Sequence, residues 1–409
     1  MSEIEAVLSR ALPRMSGGAV PRGASVVLSL LDRLVDGSVD MALPDGQSLR
    51  LGRGVCAARV QIREWEMFDA ILGKGDIGLA EAYIDGLWEA DDLPAFLALL
   101  VRNREVLARA VYGNALRLIA CRIGHLMRAN TRGGSRRNIM AHYDLGNSFY
   151  EAWLDPSMSY SAALFEGDFS RPFDYAQRAK YRRILDQIDP KPGQTILEIG
   201  CGWGGLAEVA THEYGLNVLG LTLSPAQLEH ARRRAASRGF DDRARFELCD
   251  YRDVRGSFDH IVSIEMFEAV GERYWPTYFS QVRNCLKPGG RAALQVITID
   301  DALFSRYRRG TDFIQRYVFP GGMLPSPSVF RARAAERGLA VVAEHRFGHD
   351  YAHTLSLWAR RFEAQLSNVR ALGFGDDFIR LWRFYLAYCE AAFRAGSTDV
   401  FHFTLEHAA

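Results

Sequence analysis

With 409 residues, 48% of them apolar and 24% charged, the chain has room for two domains and the composition of an ordinary globular protein. A formal net charge of +1 supplies no global field, so no nucleic-acid partner is expected. The cysteines, Cys56, Cys121, Cys201, Cys249, Cys285 and Cys389, show neither CxxC nor ligand spacing. That pattern argues against a disulfide framework or a metal site and for a reducing cytosol.

Arg10, Arg14 and Arg22 interrupt the N-terminal apolar residues, so no signal peptide is expected there. No window approaches ~18 uncharged apolar residues, the length that spans a membrane. Residues 1–24 are rich in Arg, Gly and Pro. Residues 41–51 predict a β-hairpin turning at Asp45-Gly46. A helix-rich block follows, from Glu64 to about Met127, punctuated by Gly73, Gly75, Gly78 and Gly86. Gly133-Gly134-Ser135 reads as a linker, which divides the chain into 1–130, a linker at 131–137, and 138–409.

Between Arg102 and Arg137 the charge balance departs from the average. Arg102, Arg104, Arg109, Arg117, Arg122, Arg128, Arg132, Arg136 and Arg137 face a single acid, Glu105, with apolar residues interleaved. Such a basic amphipathic stretch suits an anionic bilayer surface, and reads equally as an internal helix with solvated or paired arginines.

From Asp189 onward strands alternate with helices. Strands are predicted at 195–199, 217–221, 244–248, 259–264 and 290–297, with a late strand at 399–406 inserted into the same sheet. The alternation implies the α/β class, with a doubly wound, Rossmann-like parallel sheet. Its most informative stretch is Thr195-Ile-Leu-Glu-Ile-Gly-Cys-Gly-Trp-Gly-Gly205, followed by Gly220-Leu-Thr-Leu-Ser-Pro-Ala-Gln227. A buried strand enters a glycine turn whose backbone passes close to a ligand, and a helix follows with free N–H groups. Dinucleotide enzymes end the second strand on an acid. Here it ends on Thr222-Leu-Ser224, and Glu198 closes the first strand with E-x-G-x-G spacing. That arrangement points to S-adenosylmethionine, with a generic nucleotide turn as the alternative.

Further motifs occur in order: His142-Tyr-Asp-Leu-Gly-Asn147, Leu154-Asp-Pro156, Met158-Ser-Tyr-Ser161, Asp250-Tyr-Arg-Asp253, Met266-Phe-Glu268, Leu286-Lys-Pro-Gly289 and the run from Arg316 to Pro325. With the glycine turn, they make residues 138–409 resemble the cyclopropane-fatty-acyl-phospholipid synthase family, which includes the mycolic acid methyltransferases. The N-terminal third resembles the small, mostly helical lipid-associated domain of full-length members. The resemblance implies a class I methyltransferase fold and one-carbon transfer from S-adenosylmethionine to a cis double bond of an unsaturated phospholipid acyl chain. It also implies a cytoplasmic enzyme, peripheral to the inner face of the membrane, and is compatible with a homodimer. An alkene is a poor nucleophile, and methylation leaves a cation on the chain. The site must therefore stabilise charge, exclude water and supply a base.

By position, the resemblance assigns Glu198, Gly200, Gly202 and Gly204 to the methionine end of the cofactor. It assigns Thr222, Leu223, Ser224 and Gln227 to the ribose, Asp250 and Tyr251 to the adenine, and Tyr143 and Ser161 to a covering segment. Thr222 to Ser224 also read as a simple helix cap, and Tyr251 as core. Known members hold a bicarbonate ion as base. Glu268, Ile297 and Tyr317 match its ligands, whereas the usual Cys and His are Ala162 and Gln295, and the residue after Glu268 is Ala269. Ala162 has no side-chain donor; Gln295 donates through its NH2 but accepts no proton near neutral pH. The anion site is weakened but not abolished, so bicarbonate stays open as a second cofactor, with Glu268 or Glu265 acting directly as the base as the alternative. Both a ring and a methyl- or methylene-branched chain remain open as products.

Two other functional readings compete. A soluble-substrate N- or O-methyltransferase would carry an asparagine-proline type motif where this chain has Ser263-Ile-Glu-Met-Phe-Glu268. A non-catalytic binder would hold the cofactor without turnover. His345, His349 and His353 have helical spacing but no acidic partner, so they read as structural. Phe304 to Arg316, with Arg308 and Arg309, reads as a lid over lipid headgroups.

Overall fold

The computed structural model describes residues 20–111 and 145–408. Tyr143, the 131–137 boundary and the arginine-rich stretch from 112 onward lie outside them. The described residues cluster into two compact units.

The first unit takes the N-terminal residues together with Gly310–Phe313 and Phe374–Ala395. Its strands β1 (Gly37–Ala42), β2 (Ser48–Arg53), β3 (Cys56–Ile62) and β4 (Trp88–Ala90) form a sheet in the order β2-β1-β3-β4. The expected hairpin is β1-β2, antiparallel, with Gly46 at φ +84° in its turn. Strands β3 and β4 were not expected; β4 is only three residues long and carries no alternation to read.

Helices Arg22–Leu31, Glu66–Lys74, Asp76–Ile84, Leu93–Arg102 and Arg104–Val111 complete the N-terminal part. The sequence division assigns everything after residue 138 to one domain; the structure instead groups helix Asp376–Arg394 with this first unit. The helix buries Ile379, Trp382, Phe384, Tyr385 and Leu386, and Arg380 donates to Tyr83 O at 2.6 Å and to Glu89 Oε1 at 2.7 Å. Its broad apolar stripe required a partner, and periodicity alone does not say which unit supplies it.

The second unit is built on a seven-stranded sheet. Its strands are β5 (Thr195–Ile199), β6 (Asn217–Thr222), β7 (Ala244–Leu248), β8 (Phe258–Ile264), β9 (Leu286–Ile299), β10 (Leu339–Arg346) and β11 (Thr398–His407), in the order β10-β11-β9-β8-β5-β6-β7. From β9 to β7 neighbouring strands are parallel. β11 lies antiparallel between β9 and β10, which is the predicted late insertion. β5 is a near-continuous buried run because helices cover both faces of a parallel sheet. After β5 the chain first builds outward through β6 and β7, then returns to place β8 on β5's other side. That reversal opens a crevice at the carboxyl ends of β5 and β8, where open α/β sheets take their ligands.

Candidate active site

At the end of β5 the turn residues Gly200, Gly202 and Gly204 have φ of +87°, +51° and +86°. A Cβ on Gly200 would lie 2.9 Å from Met266 Cγ, whereas one on Gly202 would meet nothing within 4 Å, so the backbone there is open to a ligand. Helix Gly205–Tyr214 starts without a side-chain cap, leaving its first N–H groups available. Cys201 is buried, with its thiol pushed well up by burial, and its place is packing.

Glu198 is 3% exposed, and its Oε2 has no hydrogen-bond partner among the described residues. Burial holds its carboxyl well above the usual range, partly countered by the Lys180 charge. A buried carboxyl group with an unpartnered oxygen at a glycine turn fits a cationic ligand group, such as the ammonium of a methionine moiety. Lys180 is fully buried and donates to Ser161 Oγ at 2.5 Å. Burial lowers its pKa to about 8 against the pull of Glu265, Asp155 and Glu198.

On the side assigned to ribose, Thr222 Oγ1 donates to Gln227 Oε1 at 2.8 Å, and Ser224 Oγ accepts from Gln227 N at 3.3 Å. Ser224 therefore does cap helix Pro225–Arg238, and Thr222 steadies the cap by accepting from Ser224 N at 3.1 Å. Leu223 is half-buried between them. Asp250 is clamped bidentately by Arg252, at 2.8 Å and 2.5 Å. The Tyr251 ring packs edge-on against Tyr278 at 5.3 Å.

The acidic end is the densest part. Glu265 follows β8 with φ of +48°, uncommon for a non-glycine residue and typical of backbone held at functional sites. Its Oε1 accepts from Ala162 N at 2.8 Å and from Gln295 Nε2 at 2.7 Å, and its Oε2 accepts from Tyr351 OH at 2.6 Å. Burial raises its pKa, while these three donors oppose the rise. Glu268 Oε1 accepts from Ile297 N, and its Oε2 is buried without a partner among the described residues. Burial, reinforced by Glu265, raises Glu268 to about 8.

Bicarbonate does not fit this set. The Ala162 N–H and the Gln295 NH2 are spent on Glu265, and the Ile297 N–H on Glu268. Of the other matched positions, Glu268 Oε2 belongs to another carboxyl group and Tyr317 is 37% exposed. Glu265 thus brings a protein carboxylate to donors that an anion would otherwise need.

Tyr317 lies on a π-helical turn, Ile314–Val318, 37% exposed, with the Arg316 guanidinium 5.4 Å from its ring centre. The turn that follows is tied to the site because Met323 N donates to Glu268 O at 2.9 Å. In the expected lid, Arg308 is engaged by Glu272 at 2.6 Å. His345 stacks on Phe347, and His353 packs on Phe165 and Phe169. Among the described residues no group of three His, Cys, Asp or Glu side chains is placed to hold a metal.

Sequence reasoning missed Lys180, Tyr351 and His402. Lys180 and Tyr351 lie on helices remote in sequence, at positions that carry no motif. His402 was findable, because residues 399–406 alternate as a strand; what was missing was the register that sets it opposite Gln295.

A family model described as mycolic acid cyclopropane synthetase matches residues 131–403. The chain is 39% identical over 339 residues to the tuberculostearic acid methyltransferase UfaA1 of Mycobacterium tuberculosis, covering 81% of this chain and 79% of the relative. It is 35% identical over 350 residues to the cyclopropane-fatty-acyl-phospholipid synthase of Escherichia coli, covering 84% and 86%. The solved structure of mycolic acid cyclopropane synthase CmaA1 with SAH and CTAB is similar at 33% identity and TM-score 0.62, over 66% of this chain and 97% of that one. SAH is what S-adenosylmethionine becomes on losing its methyl, and the glycine turn and Glu198 fit that cofactor. The chain belongs to the mycolic acid cyclopropane synthetase family and is an S-adenosylmethionine-dependent methyltransferase.

Proposed function

We propose that this enzyme methylates the cis double bond of an unsaturated fatty acyl chain, carried by membrane phospholipid, and that Glu265 itself removes the proton that ends the reaction. The observation that supports this reading is the Glu265 carboxylate, seated on the Ala162 N–H and the Gln295 NH2. S-adenosylmethionine supplies an electrophilic methyl on a sulfonium, and its transfer to an alkene leaves positive charge on the acyl chain.

Glu198 binds the ammonium end of the cofactor, and the glycine turn lets its methionine moiety approach the backbone. Glu265 lies beside the developing charge and stabilises it. Its Oε1 already accepts two hydrogen bonds and its Oε2 only one, so Oε2 takes the proton. Gln295 is buried and Glu265 and Glu268 are half-buried, which limits the water that reaches the cation.

With a fixed carboxylate as base in place of a small ion, we assign a methyl- or methylene-branched product rather than a ring. The relative UfaA1, named a tuberculostearic acid methyltransferase and not a cyclopropane synthase, supports this choice. The arginine-rich stretch between Arg102 and Arg137 suits an anionic bilayer that presents the chain.

The test is mass spectrometry of fatty acids from a host lacking its own synthase, expressing this chain and fed methyl-trideuterated methionine. One added carbon with three deuteriums in an alkene gives the methyl branch; two deuteriums in a readily hydrogenated product give the methylene branch. Two deuteriums in a product resistant to mild hydrogenation would be a cyclopropane and would overturn the branched assignment. No labelled lipid would overturn the acyl-chain substrate.

A further inference from the structure

His402 and Gln295 are register partners on the neighbouring strands β11 and β9, with 0% and 1% exposure. His402 Nε2 lies 2.9 Å from Gln295 Oε1, and Gln295 Nε2 lies 2.7 Å from Glu265 Oε1. The chemistry of the three groups orders the protons. An ionised carboxylate only accepts, so the Gln295 NH2 must face Glu265 and its carbonyl must face His402. His402 must then carry its proton on Nε2. The other ring nitrogen, Nδ1, is buried and has no partner among the described residues. Burial, with His345, Arg183 and Lys180 nearby, keeps the ring neutral, as this tautomer requires. The imidazole also packs edge-on against Phe347 at 4.8 Å, a contact that a phenyl ring would make equally well. The hydrogen bond to Gln295 is what only the imidazole supplies.

We propose that His402 is a positioning residue that acts through Gln295: its Nε2–H fixes the amide so that the NH2 stays aimed at Glu265. Without it the amide is free to turn, and its oxygen would then face the carboxylate and repel it. The mechanistic importance of this device rests on Glu265 being the proton acceptor, but the device itself is tested separately.

The experiment is a carboxyl 13C NMR titration of the cofactor-free protein, with the Glu265 resonance identified by its loss in Glu265→Gln. In His402→Phe the Glu265 midpoint is expected to rise by about one pH unit, as one of three stabilising donors is lost. In His402→Gln, whose amide retains a donor for Gln295, it should stay near the parent value. An unshifted Glu265 in His402→Phe overturns the proposal, and so does an equal shift in both variants. If His402→Phe fails to fold by circular dichroism, His402→Met is read in the same way.

Turnover on oleoyl-phosphatidylglycerol vesicles gives a second reading. A fall in kcat of about tenfold, with KM for S-adenosylmethionine unchanged, is expected for His402→Phe. A fully active Glu265→Gln would defeat the reading of Glu265 as base, while the titration would still decide what His402 does.

Discussion

Lys180 donates from Nζ to Ser161 Oγ at 2.5 Å, with both side chains buried, in the field of Glu265, Asp155 and Glu198. The pair places a single buried ammonium among the carboxylates of the site and ties the covering segment, through Ser161, to helix Phe173–Asp186. Gln177, from the same helix, donates to Ser161 O at 3.0 Å.

Replacing Lys180 by Met keeps the volume and removes the charge. It leaves Glu198 and Glu265 without their cation and Ser161 without its donor. Breaking a buried charge network in this way costs about 3–5 kcal/mol, and urea unfolding at pH 7 should show a loss of that order. An unchanged midpoint would mean that Lys180 is neutral in the folded protein at that pH.

Glu198→Gln should separate binding from stability. The variant replaces a buried carboxyl group whose Oε2 has no partner among the described residues, so the cofactor-free protein should be at least as stable as the parent. Affinity for S-adenosylmethionine should fall by roughly 10- to 100-fold, the worth of a charge-assisted hydrogen bond. Isothermal calorimetry alongside thermal melting reads both, and undiminished affinity would remove Glu198 from the cofactor site.

Glu265→Gln should lower turnover by about 10²- to 10⁴-fold, the usual contribution of a general base, with cofactor affinity nearly unchanged. Burial raises the Glu265 pKa above 4.5, and the proposed role as base requires its ionised form. In the parent enzyme, kcat should therefore rise with pH through a midpoint above that ordinary value, and stopped assays across pH 5–9 would follow it.

Glu268 gives a signature in stability. Its folded-state pKa is raised to about 8 from 4.5, mainly by burial. The folded protein thus binds more protons than the unfolded chain between those values. The group's stabilising contribution is complete below 4.5 and is lost as pH rises through about 8. The loss is on the order of a few kcal/mol. Melting temperatures measured from pH 5 to 9 should fall less steeply in Glu268→Gln than in the parent. Parallel curves would show that Glu268 does not carry the excess proton.

The glycine turn and the cap that follows it were legible along the chain because they are local. A buried strand, glycines at positive φ and a serine cap occupy one contiguous stretch, Thr195 to Gln227, where spacing alone dictates geometry. The alternation of strands and helices from Asp189 likewise determined a doubly wound sheet, because parallel strands require covering crossovers. The base half depends on residues far apart in sequence. Glu265, Gln295, Tyr351, His402 and the Ala162 backbone meet only after β11 inserts antiparallel beside β9 in one particular register. A shift of one residue would turn His402 away from Gln295, because side chains alternate across a sheet. The same distinction separates helix Asp376–Arg394 from the sheet that follows it: its sequence specified an apolar face, and the fold chose the unit that covers it. Local backbone chemistry therefore wrote the glycine turn and its flanking cap into the sequence, while strand register and long-range packing decided which carboxylate is seated on the Ala162 and Gln295 donors.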